Sequence, residues 1–437
     1  MKTKTSLIGG AAAGIALAIG AAATAQAQET TVTWPGAPRF TNDQNQFKFR
    51  GRILVDSVFQ DFDRTDPTKV DASTRNFRGR QAFLGVEGQL NSQWAFKAEG
   101  GWVNGATPTW DDVVIEYKPT ETSSIMVGNI KSTGMENITS TRFLTFMERG
   151  PYANVADLDY YLGVVGRTWG PNWSITAAFQ GDKINNADVL TNGTPAVAGT
   201  PGSLDAKERL QEAVRVTFLP IMDDNTKVHV GGSFRHRDHG SEAGFSYTFR
   251  PNTSIVPAGF ISGATNVAKS DNTFTAEGLI IHKSFSVQAE YQYIKYDGAL
   301  ASATTTNPDG HVNAGYVYVS WWPTGETRNY QVATGDVGRP KILNPITGGG
   351  WGGVELAARY DWVDLSHAAS LANVGAGTNP GTYHGFTGGL NYYPFPYVRF
   401  MFNYTNGKQK LPVTGVTPAG MNDVKMQVFA MRAQVDW

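Results

Sequence analysis

The stretch "QFKFRGRILVDSVF", residues 46–59, alternates strictly: Phe47 and Phe49 fall on one side, and Lys48, Arg50 and Arg52 on the other. Successive side chains of a β-strand point to opposite faces, so one face is oil and the other is stacked positive charge. The same period of two recurs along the chain. Trp94, Phe96 and Ala98 alternate with Lys97 and Glu99, and Val354, Leu356, Ala358, Tyr360 and Trp362 with Glu355, Arg359 and Asp361. At the end, Phe429, Met431, Ala433, Val435 and Trp437 alternate with Arg432, Gln434 and Asp436. No long run repeats its apolar residues at helical spacing.

About sixteen such segments can be counted, starting near 46, 74, 93, 109, 124, 160, 173, 207, 226, 272, 285, 311, 350, 383, 396 and 426. Each is about nine to eleven residues long, enough for a tilted strand to cross hydrocarbon. Their connections alternate in length, short at 90–93, 119–123 and 282–284, long at 132–159, 182–206 and 239–271. Short inner turns and long outer loops are the asymmetry of an outer-membrane barrel. One connection, residues 323–350, is long where parity asks for a short turn, and is expected to fold into the lumen. The expected fold is therefore all-β, a transmembrane antiparallel β-barrel of about sixteen strands. A soluble sandwich would keep its apolar face inside, but aromatic residues at strand ends (Trp94, Trp102, Trp362, Tyr404, Trp437) resemble interfacial girdles.

Composition agrees. Aromatic residues make 12% of the chain and charged residues only 17%, with 49 glycines and no cysteine. Disulfides, zinc-thiolate sites and cysteine nucleophiles are thereby excluded. Residues 1–27 carry Lys2 and Lys4, an Ala/Gly/Leu/Ile run and the small-residue box Ala25-Gln26-Ala27, the pattern of a secretory signal peptide. Residues 28–45 are expected to be a short periplasmic segment, and 46–437 the barrel, with 132–159 folded into its lumen. Without residues 1–27 the lysines and arginines fall from 37 to 35 against 38 acids, a formal charge of −3, which argues against nucleic acid as a partner.

Arginine or lysine on a lipid face costs about 2 to 4 kcal/mol at the midplane, so the cationic face of residues 46–59 must line the lumen. Extending that parity collects 15 cations against eight acids (Asp56, Glu99, Asp112, Glu116, Glu290, Glu355, Asp361 and Asp436), a balance that favours anions. The candidate pore-lining and anion-binding residues are Lys48, Arg50, Arg52, Arg78, Arg80, Lys131, Arg142, Arg149, Arg215, Arg235, Arg237 and Arg359.

The chain also resembles a known family, the phosphate-selective porins O and P. The resemblance is carried by "FKFRGRILVD", "FLGVEGQL", "RVTFLPIMDDNTKVHVGGSFRHRD", "GGVELAARYDWVDL", "GGLNYYPFPYVRFMFNY" and, most specifically, "VGNIKSTGMENITSTRFLTFMERG" at 127–150. It implies a homotrimer of water-filled channels in the outer membrane, a third loop narrowing each pore, and an arginine and lysine track for anions such as phosphate. Where members often carry a run of arginines, this chain reads Arg78-Gly79-Arg80-Gln81-Ala82-Phe83, with Gln81 and Phe83 standing where further arginines are common. A general diffusion porin with weak ion preference is the alternative, and no catalytic set or cofactor is expected. The cluster His236-Arg237-Asp238-His239 reads as a solvated loop tip rather than a metal site.

Overall fold

The computed structural model describes residues 30–34, 36–65, 71–104, 108–184, 209–239, 245–256, 264–302, 305–368, 381–410 and 423–437. The expected signal peptide lies outside the described residues. Sixteen long strands form the wall: β1 Asn45–Arg64, β2 Ala72–Leu90, β3 Trp94–Val103, β4 Pro108–Thr120, β5 Ser123–Ile130, β6 Tyr161–Trp169, β7 Trp173–Gln180 and β8 Leu210–Met222. They continue as β9 Thr226–Asp238, β10 Ala264–His282, β11 Phe285–Gly298, β12 Gly310–Trp321, β13 Gly353–Asp364, β14 Thr382–Phe395, β15 Val398–Lys410 and β16 Val424–Asp436. Each pairs antiparallel with the next, and β16 returns to β1 from Val424↔Arg64 to Asp436↔Arg52, closing the barrel. β10 begins at Ala264, eight residues ahead of the segment start read at 272, because its first turn of ladder is held by a short strand at Phe245–Tyr247.

The burial pattern is inverted relative to a soluble protein. On β1, Phe49, Ile53 and Val55 are exposed at 42–48%, while Arg52 and Asp56 are buried at 2% and 1%. The same holds on β8, where Val214, Val216 and Phe218 face out and Arg215 and Thr217 face in. An apolar exterior around a charged interior is stable only if the exterior meets hydrocarbon, and a closed ladder is what lets every strand enter it without an unpaired edge.

A β-bulge interrupts the alternation on β2. Leu54 pairs with Gln81 but Val55 pairs with Gly79, so Arg80 is an extra residue. The insertion flips parity at that point, and Arg78 and Arg80 above it and Gln81 and Phe83 below it all serve the interior.

Among the described residues three segments enter the lumen. Residues 131–160 run inward from β5 and carry two short helices, α1 Met135–Ile138 and α2 Pro151–Val155. Gly134 opens α1 at φ 77°, and a Cβ there would meet the Tyr152 hydroxyl at 2.5 Å, so only glycine permits this entry. Residues 322–352 fold back from the short-turn end as a hairpin of Asn329–Gln331 with Asp336–Gly338. From the long-loop end Asn252 donates to Asp361 at 2.9 Å and Thr253 to Gln60 at 3.3 Å. Ahead of β1, strands Thr31–Thr33 and Arg39–Thr41 form a hairpin whose second arm pairs with Gln46–Lys48.

Candidate permeation pathway

The inserted segments crowd against β8–β15 and leave a cavity of ≈ 650 Å³ along β1–β6. Its wall carries Lys48, Arg50 and Arg52 from β1, Glu87 from β2, Lys97 from β3, and Asp111, Asp112 and Glu116 from β4. Lys131, Arg142 and Tyr160 come from the inserted loop, Arg167 from β6, and Asp336 and Arg339 from the inturned hairpin.

Glu99 ties three of these cations together. It is fully buried and receives Arg142 at 2.9 and 3.0 Å, Arg50 at 2.5 Å, and Arg52. Arg52 also pairs with Asp111, donates its Nε–H to Gln81 Oε1 at 2.8 Å and stacks over Phe83 at 4.1 Å. Gln81 and Phe83, where the sequence shows no arginine, thus hold the arginine of the neighbouring strand through an amide and a ring face. Toward the short-turn end Arg50 reaches Glu87 at 2.9 Å and Asp112 at 3.8 Å, Lys97 reaches Asp112 at 3.3 Å, and Lys48 reaches Glu87 at 3.7 Å. On the other side of the loop Glu148 accepts both Arg80 nitrogens at 3.0 Å and Arg432 at 2.9 Å, and Arg432 is bidentate on Asp56 at 2.7 and 2.8 Å. Burial opposes the Glu148 charge, but Arg80 and then Arg432 outweigh it and hold the carboxyl well below the usual carboxylate range.

A closed barrel with an apolar exterior, a charged lumen and an inserted third long loop is the architecture of a porin. The family model of the phosphate-selective porins O and P matches residues 47–437. The chain belongs to that family. An uncharacterized protein of Caulobacter vibrioides is 26% identical over 416 residues, covering 93% of this chain and 77% of that protein. Among solved structures the barrel is similar to OprB of Pseudomonas putida (TM-score 0.53, 11% identity, 90% of this chain and 94% of that one). It is also similar to the outer membrane protein OmpT of Vibrio cholerae in its trimer form (0.52, 13%, 90% and 100%) and to the outer membrane channel DcaP of Acinetobacter baumannii (0.51, 10%, 91% and 99%). The protein is an outer-membrane porin channel.

In this porin the twelve candidate cations separate into three groups. Lys48, Arg50, Arg52, Lys131 and Arg142 border the cavity. Arg80 joins the Glu148 pair, and Arg78 stands beside it with Nε and Nη2 free of hydrogen bonds among the described residues. The other five are engaged elsewhere. Arg149 donates to the carbonyls of Glu136 at 3.1 Å and Thr139 at 2.6 Å within the loop. Arg215 pairs with Glu277 at 2.8 Å and donates to the carbonyls of Thr334 and Gly335 at 2.7 Å. Gly335 has φ 63°, and a Cβ there would press on Thr217 at 2.8 Å. Arg235 donates to the Ala156 carbonyl at 2.5 Å, Arg237 grips Asp271, and Arg359 bonds Asp361 at 3.0 Å, Glu136 at 3.1 Å and the Glu148 carbonyl at 3.3 Å.

The inward acids outnumber the eight counted from parity, since Glu87, Asp111, Asp271 and Glu277 stand among them and the loop brings Glu136 and Glu148. Arg167 and Arg339 line the cavity without having been singled out. Alternation along Tyr161, Gly163, Val165 and Arg167 marks the first as inward; Arg339 lies in a hairpin with no periodicity to place it.

Proposed function

We propose that this porin passes small hydrophilic anions by electrodiffusion, inorganic phosphate as one among them. The observation that carries the reading is the cavity wall, where eight cationic side chains (Lys48, Arg50, Arg52, Lys97, Lys131, Arg142, Arg167 and Arg339) face five carboxylates (Glu87, Asp111, Asp112, Glu116 and Asp336). A surplus of fixed positive charge lowers the entry barrier for anions, and several weak positions in series let them leave again. Because most of these cations already hold a carboxylate, the preference is modest, which keeps it close to a general diffusion porin.

Reversal potentials in planar bilayers under a salt gradient test this. Anion-selective potentials are expected, with phosphate lowering chloride conductance only at high concentration. A cation-selective potential overturns the reading, and block by low phosphate replaces it with a dedicated phosphate site.

We further propose that the channel is a homotrimer. β5, β6 and β7 have only 8, 9 and 8 residues, against 20 for β1. At about 3.3 Å per residue and a tilt of about 40°, these strands rise about 20 Å, short of the apolar band of about 25 Å. A neighbouring protomer would cover that low wall. Detergent-extracted protein should migrate as a heat-dissociable trimer, and a monomer by light scattering overturns the assignment.

A further inference from the structure

The cavity cations differ in whether a carboxylate answers them. Lys48, Arg50, Arg52, Lys97, Arg142 and Arg339 each have a carboxylate oxygen within 4.0 Å. Among the described residues, Lys131 and Arg167 form no such pair. Lys131 Nζ donates to the Asn137 carbonyl at 3.2 Å and lies 4.5 Å from the centre of the Tyr160 ring. Arg167 Nε donates to the Thr176 hydroxyl at 3.4 Å.

Their positions are as telling as their lack of partners. β5 and β6 pair from Ser123↔Thr168 to Ile130↔Tyr161, with Arg167 opposite Ser124 and Lys131 following Ile130. The two cations therefore stand at opposite ends of one strand pair, roughly 20 Å apart at about 3.3 Å per residue. One is at the short-turn end of the cavity and the other where the inserted loop begins.

A guanidinium already bonded to a carboxylate presents a quenched field, and an arriving anion must displace the resident acid to reach it. Lys131 and Arg167 feel carboxylates only from beyond 4.0 Å, Asp159, Asp111 and Asp112 about the first and Asp336 and Glu116 about the second, so an arriving anion has no bonded acid to displace. We infer that Lys131 and Arg167, standing without carboxylate partners at the two ends of the cavity, set the anion preference of the porin, and that the β1 ladder does not. This rests on the anion-passing reading above and names the residues behind it.

Lys131 adds a regulatory consequence. The charged groups facing it are Arg149 from the loop, Asp159 from the approach to β6, and Asp111 and Asp112 from β4, with Tyr160 the neighbouring titratable ring. Burial first, and Arg149 second, lower its ammonium to about 7, with the three aspartates opposing. Its charge is present in acid and leaves as pH rises through that value, so anion preference should fall between pH 6 and pH 9.

The experiment is the reversal potential of the full trimeric channel in a potassium chloride gradient at pH 6 and pH 9. Wild type should lose about two- to fourfold in its anion-to-cation permeability ratio across that range, the effect of one unit charge a few ångströms from the ion path. Lys131→Gln should show the low ratio at both pH values, and Lys131→Arg the high ratio at both. Arg167→Gln should lower the ratio at pH 6 and pH 9 alike while leaving the pH dependence in place. Normal mobility of Lys131→Arg as a trimer separates lost charge from lost folding. A wild-type ratio that is anion-selective yet independent of pH, or unchanged in Lys131→Gln, overturns this inference alone. A cation-selective wild type at pH 6 overturns the anion reading itself.

Discussion

Arginine does opposite work in the two halves of this barrel. Along β1–β6 the guanidiniums border open space and are matched mainly by carboxylates around Glu99. Along β8–β16 five of them are buried at 3% or less and reach backbone carbonyls of the inserted segments: Arg235 at Ala156, Arg215 at Thr334 and Gly335, Arg359 at Glu148, Arg399 at Leu144, and Arg432 at Met147. The difference teaches that a lumen-facing cation is not by itself a pore-lining one. An inserted loop has carbonyls without strand partners, and a buried arginine, with five donors in a rigid fork, can satisfy several at once.

The sharpest break of this contrast is Arg359→Met. It strips partners from Asp361 and Glu136 and releases the Glu148 carbonyl and Asn252. Removing one member of a buried ion network costs about 3–5 kcal/mol, so the temperature at which the folded form loses its gel mobility should fall markedly, with noisier conductance. Arg50→Met, in the half-open cluster whose charge is already answered by Glu87, Glu99 and Asp112, should leave that temperature far less changed and the reversal potential near its wild-type value.

A second test concerns the outside. Ile53→Arg places a cation on the exterior of the longest strand and should cost about 2–4 kcal/mol near the midplane, read as reduced folding into liposomes.

Third comes the fastening between the halves. Glu148→Gln keeps the shape but weakens its bonds to Arg80 and Arg432, at about 1–3 kcal/mol. The folded carboxyl titrates below its ordinary value, so its contribution is present above the unfolded value and is lost only as pH falls through the depressed one. Thermal stability measured from pH 8 down to pH 5 should therefore show a constant gap between wild type and this variant.

The smallest effect expected is in selectivity. Glu99→Gln unmasks Arg50, Arg52 and Arg142 together, and the anion-to-cation permeability ratio should rise about two- to fourfold.

The wall was legible in the sequence because alternation is a local signal. Phe47 and Lys48 declare their faces without reference to any other strand, and the parity that put residues 323–350 on the short-turn side also singled them out as unusual. The bulge at Arg80 was not legible: it is a mismatch between strands, and no residue type marks it. Nor could parity say which inward cations meet water. Arg52 and Arg215 look alike on their strands, and only the path of distant segments places one beside a cavity and the other under the carbonyls of Thr334 and Gly335. Asp271 and Glu277 sit at inward positions of β10, but recognising them as counter-charges requires the neighbouring strand that carries Arg237 and its neighbour Arg215 on β8.

The seam of the barrel carries a last consequence. β16 covers β1 only as far as Asp436↔Arg52 and the Gly51–Trp437 bonds, while β1 continues downward to Asn45. Below that point one side of β1 would present raw backbone donors and acceptors, an invitation to pair with any other chain. The Arg39–Thr41 arm takes up that edge at Gln46–Lys48, so the opening stretch of the barrel is guarded by the chain's own preceding residues against joining the wrong neighbour while the wall is still being zipped.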